Sequence, residues 1–135
     1  MEAVRPGAHA PFPPSSRIRK RADFLAVQRG SAFPVRANTF LMLLAPAPVG
    51  VAGPRLGLVV GRKFGSSPLR ARFKRLVREW FRHHKDWFAG PLEVLVIARG
   101  AAPDKSLDGL RAELMATEAR AKRGARELLA RRNTA

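Results

Sequence analysis

Short apolar runs bounded by glycine or proline occur in three parts of the chain. They cover residues 35–45, 55–61 and 91–99. Runs of this length with these boundaries are more typical of buried strands than of helices. The pattern therefore predicts strands that belong to one small sheet.

Between the second and third runs, apolar residues recur with helical spacing for about five turns, from Leu69 to Phe88. Ser66 or Ser67 can cap the start of this helix, and Pro68 suits its first turn, where a missing N–H costs nothing. At 100° per residue the apolar side chains fall on one stripe and most of the basic ones fall opposite. The segment is predicted to be an amphipathic helix with a cationic outer face.

A further helix is predicted near each end of the chain. The first covers residues 22–29 and stops at Gly30, and the last begins at a cap from Ser106 and runs to about Leu129. These elements predict an α+β fold: a two-layer sandwich with three helices on a small mixed sheet of about four strands. The crossover through the central helix would be right-handed by default.

The length of 135 residues suits one compact domain. Residues 1–16 contain four prolines and no apolar period, which is typical of a disordered leader. We predict a single domain over 17–123, followed by a basic helix end or tail over 124–135.

Charge narrows the range of partners. The chain has 26 Lys and Arg against 10 Asp and Glu, a formal net charge of +16. A small domain with this charge repels itself unless a polyanion neutralises it, and nucleic acid is the first candidate. A membrane surface is the second, but no apolar run of about 18 residues is present to span a bilayer. Without cysteine or a secretory signal, we expect a soluble, cytoplasmic protein.

The positive charge is concentrated between residues 62 and 85, where Glu79 is the only acid. A solvated helix normally alternates both signs one turn apart, so this segment is either an unusual solvated face or a phosphate-binding surface. Like charges one turn apart disfavour a helix by about 0.3 kcal/mol each, a cost that phosphate binding removes. We favour phosphate binding. The nine basic residues are Arg62, Lys63, Arg70, Arg72, Lys74, Arg75, Arg78, Arg82 and Lys85.

The arrangement of acids and histidines does not indicate self-contained catalysis. No two carboxylates form an Asp-x-Asp pair, and the neighbouring His83 and His84 diverge by about 100° on a helix, which disfavours a shared metal. We therefore expect a binding protein and no catalytic residue in the chain. Phe24 and Phe40 either stack on unpaired bases or belong to the core, and the sequence leaves both readings open.

Three segments together resemble the protein subunit of bacterial ribonuclease P: RKRADFLAVQRG, GLVVGRKFGSSPLRARFKRLVREWFR and EVLVIARG. The resemblance covers about residues 17–120. It implies that a catalytic RNA holds the magnesium ions and cuts precursor tRNA, while the protein binds the 5′ leader and supports the active metal-bound state. The implied partners are the catalytic RNA and precursor tRNA, with no membrane, no DNA and no cofactor bound by the protein itself.

The resemblance also assigns residues. It implies that the catalytic RNA contacts Arg62, Lys63, Arg70, Arg72, Lys74, Arg75 and Arg78. It implies that the leader contacts Lys20, Arg21, Phe24, Leu41 and Leu43. It further implies a left-handed crossover through the central helix.

The chain departs from the family pattern at two positions of the basic segment. Ser66 and Ala71 stand where the family usually has asparagine, and Ala71 offers no side-chain donor or acceptor. The alternative function is that of a ribosomal or other structural RNA-binding protein, because the same charge pattern would serve it. A self-sufficient RNA nuclease is the third class, and the scattered carboxylates argue against it.

Overall fold

The computed structural model describes residues 32–48, 50–104 and 106–134. Their central feature is a four-stranded sheet. Its strands are β1 (Phe33–Arg36), β2 (Phe40–Pro46), β3 (Arg55–Val59) and β4 (Leu92–Ala98). The predicted helix over 22–29 lies outside the described residues.

The strands lie in the order β1-β2-β4-β3. β1 pairs antiparallel with β2, β2 pairs antiparallel with β4, and β3 pairs parallel with β4. Met42 lies at the centre of the register, with Val35 on one side and Val96 on the other. The sheet is mixed, and its parallel pair is joined through a helix, so the predicted α+β sandwich is confirmed.

The prediction of one strand over 35–45 was wrong, because a tight turn divides this segment into β1 and β2. The N–H of Ala37 donates to the carbonyl of Phe40 at 2.9 Å. The N–H of Thr39 donates to Glu113 Oε1 at 2.9 Å, and its hydroxyl donates to the other carboxylate oxygen. The turn is therefore held by an acid far away in the sequence, which local patterns do not reveal.

Three α-helices and two short 3₁₀ helices complete the described fold. They are η1 (Arg62–Phe64), α1 (Ser67–His83), η2 (Lys85–Phe88), α2 (Leu110–Ala116) and α3 (Glu118–Thr134). Ser66 occupies the N-cap position of α1 and Pro68 lies in the first turn, as the sequence indicates, but the Ser66 side chain makes no capping hydrogen bond. No helix among the described residues is long and apolar enough to cross a membrane.

Two helix boundaries differ from the prediction. α1 ends at His83 because the backbone turns at His84, whose Nδ1 lies 2.8 Å from the carbonyl oxygen of Trp80. The last helix divides at Thr117, whose hydroxyl donates to the carbonyl of Leu114 at 2.6 Å. The N-cap of α2 is Gly109 and not Ser106, so the predicted cap was wrong. In both cases a side chain satisfies a backbone group that a continuous helix would have used.

The core lies between one face of the sheet and the helices. Phe40, Met42 and Leu44 on β2 are fully buried there, together with Phe73 and Phe81 from α1. Phe40 therefore belongs to the core, and its alternative assignment to base stacking is wrong. Burying side chains of this size contributes about 2 kcal/mol each, which fixes α1 on the sheet with its apolar stripe inward.

Candidate nucleic-acid interface

The turn before α1 is anchored by aromatic packing. The rings of Phe64 in η1 and Phe73 in α1 meet edge to face with centroids 4.9 Å apart, and both side chains are buried. Gly65 joins the two elements with φ of 155°, and a Cβ there would lie 2.5 Å from Leu69 Cδ2. The positive φ favours glycine at this position, and a Cβ there would also require the Leu69 side chain to shift.

All seven basic residues predicted to contact RNA lie on one continuous segment formed by η1 and α1. Five of their side chains are exposed, and those of Arg70 and Lys74 are half-buried. The buried side of α1 consists of Phe73, Val77, Trp80 and Phe81. We call the seven the α1 surface: Arg62, Lys63, Arg70, Arg72, Lys74, Arg75 and Arg78.

Two members of the α1 surface are held by neutral groups. Arg70 donates from Nε to the carbonyl of Gly65 at 3.2 Å and from Nη2 to Ser67 Oγ at 3.0 Å. Arg72 donates from Nε to the carbonyl of Ser106 at 2.9 Å. These bonds orient the guanidinium groups without neutralising their charge.

The only acid of α1 is directed away from the α1 surface. Glu79 accepts from Arg111 of α2 at 3.4 Å, and no acid lies in the first turn of α1. The free amides and positive dipole end at that turn add to the local positive potential. Within the described part of the chain, no hydrogen bond or ion pair is formed by the side chains of Arg62, Lys63, Lys74 or Arg75.

The end of α1 forms a cavity with α2. Its volume is about 300 Å³, and its lining includes Trp80, His83, His84 and Met115. The rings of Trp80 and His84 are stacked with centroids 6.2 Å apart. Nowhere in ranges 32–48, 50–104 and 106–134 do three histidine or acidic side chains come together in a way that would hold a metal ion. Close by, burial lowers the pKa of Lys85.

The predicted leader-binding residues are only partly within the described chain. Leu41 and Leu43 are half-buried on the face of the sheet opposite the helices. Leu43 packs there against a small cluster centred on the fully buried Leu95. Lys20, Arg21 and Phe24 lie outside the described residues.

Both positions that depart from the family pattern are exposed on the basic segment. Ser66 accepts the N–H of Arg70 through its backbone carbonyl at 2.9 Å, while its side chain makes no capping bond. Ala71 lies on the outer side of α1 between Arg70 and Arg72. The α1 surface therefore has a methyl group where an asparagine would supply a polar contact.

Sequence reasoning missed a second group of cations. Arg36, Arg99 and Arg120 meet at the turn between β1 and β2, where Arg120 donates to the carbonyl of Arg36 and Arg99 to that of Ala37. The three belong to a strand, a loop and a helix that are far apart in the sequence. No local pattern signals their meeting, because the tertiary fold produces it.

An α+β domain that exposes this many cations on one helix, with the single acid of that helix paired elsewhere, belongs to the class of polyanion-binding proteins. The family described as Ribonuclease P matches residues 12–122, which is most of the chain. The chain belongs to this family, whose name ties it to an RNA-binding component of a tRNA-processing ribonucleoprotein.

Individual proteins similar to this chain support the same family assignment. The chain is 33% identical over 97 residues to the ribonuclease P protein component of Dictyoglomus thermophilum, covering 72% of this chain and 78% of that one. It is 37% identical to the Staphylococcus carnosus component, covering 67% and 76%.

Solved structures show the same fold. The RNase P protein of Staphylococcus aureus superposes with a TM-score of 0.63 at 30% identity, covering 74% of this chain and 89% of that one. The RNase P protein of Thermotoga maritima gives a TM-score of 0.60 at 31% identity, covering 77% and 96%. The resemblance found in the sequence motifs is thus confirmed.

Proposed function

We propose that this chain binds the catalytic RNA of ribonuclease P and assists it in the endonucleolytic removal of the 5′ leader from precursor tRNA. The observation that carries the proposal is the α1 surface, where seven cations point outward while the only acid of the helix, Glu79, pairs with Arg111. Such a surface is stable when a polyanion replaces the missing acids.

In this proposal the α1 surface contacts the sugar–phosphate backbone of the catalytic RNA. Arginine forks bind phosphate oxygens through two parallel N–H groups, and α1 spaces Arg75 and Arg78 about one turn apart on its exposed side. The bonds that hold Arg70 and Arg72 set the direction of their remaining donors. These two guanidinium groups are thus pre-organised, which reduces the entropy that they lose on binding.

The leader of the substrate contacts the opposite face of the sheet. Leu41 and Leu43 offer apolar surface there and no side-chain hydrogen bond, so they can pack against bases of any sequence. We propose that Lys20, Arg21 and Phe24 complete this leader site with charge and an aromatic ring. The two sites then lie on different faces of the protein, which allows RNA subunit and leader to bind together.

The phosphodiester chemistry belongs to the RNA partner, and the magnesium ions are held by that RNA. The chain contributes positive charge at the contact, which lowers the repulsion between phosphates that the RNA must otherwise overcome with bound cations. The protein therefore supports the active metal-bound state at a lower magnesium concentration. We place this role in the cytoplasm.

Reconstitution tests the proposal. Catalytic RNA at low magnesium is mixed with precursor tRNA, with and without the protein, and release of the 5′ leader is measured. Cleavage should need the RNA and should increase when the protein is added, and the protein with magnesium alone should not cleave. A protein that leaves RNA-catalysed cleavage unchanged would contradict the proposal.

A pair of variants and an RNA pull-down extend this test. The double variant Arg75→Ala with Arg78→Ala should activate less than the wild type, whereas Lys122→Ala, which removes a cation already paired with Glu118, should activate normally.

Recovery of RNA from a pull-down with the chain separates the alternatives: a non-ribosomal RNA of several hundred nucleotides supports the proposal, and ribosomal RNA supports a structural role in the ribosome.

A further inference from the structure

Three exposed arginines from distant parts of the chain surround the turn between β1 and β2. Arg36 ends β1, Arg99 follows β4, and Arg120 lies in the first turn of α3. We call these three residues the turn cluster. None of them belongs to the α1 surface, and the proposed function gives them no role.

Backbone carbonyls of the turn hold two of the three guanidinium groups. Arg120 Nη1 donates to the carbonyl of Arg36 at 2.8 Å, and Arg99 Nη1 donates to the carbonyl of Ala37 at 3.1 Å. Each guanidinium has five N–H donors, so most remain available for another acceptor. Side chains that are already positioned lose less conformational entropy when a ligand binds.

The turn that carries these contacts is itself fixed. The backbone N–H of Arg99 donates to the carbonyl of Thr39 at 2.8 Å, and Thr39 is bound through its N–H and hydroxyl to Glu113. The turn is therefore tied to β4 and to α2 as well as to its own strands. The positions of the cationic groups follow from this framework.

Two acids beside the turn cluster, Glu113 and Glu118, are engaged with other groups. Glu113 binds Thr39, and Glu118 pairs with Lys122 at 2.6 Å. Across the residues that the structure describes, neither Arg99 nor Arg120 has an acidic partner. Positive charges held together without neutralisation indicate an anionic ligand.

The turn cluster is also close to the α1 surface. The N–H of Ala102 donates to the carbonyl of Phe64 at 2.9 Å, which joins the segment after β4 to η1. Ala102 is three residues beyond Arg99, a span of at most about 11 Å. One RNA strand or helix that contacts Arg62 and Lys63 in η1 therefore reaches the turn cluster without leaving the protein surface.

We propose that the turn cluster is a second phosphate-binding site, occupied by the sugar–phosphate backbone of the catalytic RNA as a continuation of the α1 surface. The proposal rests on the proposed function. Arg99 and Arg120 supply the phosphate contacts through the donors that the turn leaves available, and Arg36 adds charge beside them. Phosphate contacts of this type position the RNA and do not read its sequence.

The test compares two double variants of the full chain. Arg99→Gln with Arg120→Gln keeps an N–H donor for each turn carbonyl and removes two charges. Lys122→Gln with Arg126→Gln removes two charges from the same helix α3, at positions that face away from Arg120 by their spacing. Binding to catalytic RNA is measured between 50 and 200 mM salt, and thermal unfolding is recorded for each protein.

We expect the Arg99 and Arg120 variant to bind catalytic RNA at least about tenfold more weakly, with a salt slope smaller by about two, at an unchanged melting temperature. The Lys122 and Arg126 variant should keep the wild-type slope. Arg99→Lys with Arg120→Lys should restore the slope, because charge and not the shape of the fork sets it. If the double glutamine variant unfolds, Arg99→Gln and Arg120→Gln are tested singly, and each should reduce the slope by about one.

Equal binding by the glutamine variant and its control would overturn the proposal. A loss confined to the binding of precursor tRNA by the reconstituted enzyme would also overturn it, since the site would then serve the substrate. The proposed function stands if the wild-type protein activates the catalytic RNA, even when the glutamine variant behaves as its control. In that case only the proposal for the turn cluster is overturned. Wild-type protein that fails to bind or activate the RNA would overturn both.

Discussion

Arg55 and Glu93 face each other on the parallel strands β3 and β4 and form a two-pronged ion pair. Arg55 Nη2 lies 2.7 Å from Glu93 Oε1, and Nε lies 3.1 Å from Oε2. The Glu93 side chain is only 2% exposed and that of Arg55 14%. Removing one partner of such a buried pair leaves the other charge without compensation.

We therefore expect Glu93→Ala to lower the free energy of unfolding by about 3 kcal/mol, measured by chemical denaturation. Arg111→Ala serves as the control, because it breaks the exposed pair with Glu79 and should change stability by less than about 1 kcal/mol. Similar losses in the two variants would contradict the importance of burial.

Gly124 packs directly under the ring of Phe33. A Cβ at Gly124 would lie 2.5 Å from Cδ1 of Phe33 and 2.8 Å from its Cγ. Alanine in a helix is ordinarily favoured over glycine by about 1 kcal/mol, but here the ring must move. We expect Gly124→Ala to destabilise the protein by about 1 kcal/mol net, as measured by denaturation.

A double-mutant cycle isolates this contact. In the background of Phe33→Ala, which removes the ring, Gly124→Ala should become neutral or stabilising, because only the helix preference remains. Equal effects of Gly124→Ala in both backgrounds would show that the contact does not limit the substitution.

The elements that the sequence predicted correctly are those with a strong local period. α1 follows from apolar residues that recur every three to four positions, and β3 and β4 follow from short apolar runs with clear boundaries. The turn within 35–45 depends on Glu113, a tertiary partner that is far away in the sequence. The break at Thr117 depends on a local bond from the threonine hydroxyl to the carbonyl of Leu114. Periodicity carries no information about such partners.

The same distinction applies to the candidate site. The α1 surface was predictable because all seven residues lie within 17 positions of one another, from Arg62 to Arg78. The turn cluster was not, because its three arginines lie in separate elements that only the sheet topology brings together. The roles of the α1 surface and of Leu41 and Leu43 toward RNA stay predictions.

A comparison of variants at Arg75 and Arg72 distinguishes the contribution of a cation to RNA binding from its contribution to stability. Within the described chain, the Arg75 side chain makes no hydrogen bond, whereas Arg72 donates to the carbonyl of Ser106. Arg75→Ala should weaken binding to catalytic RNA and change the free energy of unfolding by less than about 0.5 kcal/mol. Arg72→Ala should weaken binding and also cost about 1 kcal/mol of stability.

Filter binding and denaturation on the same protein samples measure both quantities. Lys122→Ala is the control for binding, because it removes one positive charge that Glu118 already neutralises. Wild-type affinity in both arginine variants would remove Arg72 and Arg75 from the RNA interface.

Asp104 closes the turn before α2. Its Oδ1 accepts from the hydroxyl of Ser106 at 2.6 Å and from the N–H of Leu107 at 2.7 Å, and Leu107 has a φ of 56°. The Ser106 hydroxyl first, and then the Leu107 amide, lower the pKa of Asp104 below its ordinary value of 3.8. A lowered pKa means that the ionised form stabilises the folded turn.

This contribution is present above pH 3.8 and is lost as the pH falls through the lowered pKa of the folded state. In an NMR titration, the amide proton of Leu107 should therefore shift with a midpoint below 3.8. Asp104→Asn should abolish that titration. A midpoint at or above the ordinary value would contradict the hydrogen bonds described for this turn.

Salt dependence tests the electrostatic basis of the whole interface. Each phosphate neutralised by a cation releases counterions, so the logarithm of the affinity falls linearly with the logarithm of salt concentration. The α1 surface provides seven cations, and we expect about six phosphate contacts from it, which correspond to a slope of about −5.

The affinity for catalytic RNA should therefore fall by at least about 10³ between 50 and 200 mM salt. Fluorescence binding at constant magnesium measures it, and Arg75→Ala should reduce the slope by about one, whereas Lys122→Ala should leave it unchanged. A nearly flat dependence would mean that the cations of α1 do not meet phosphates, since no other interaction of this surface is so sensitive to screening.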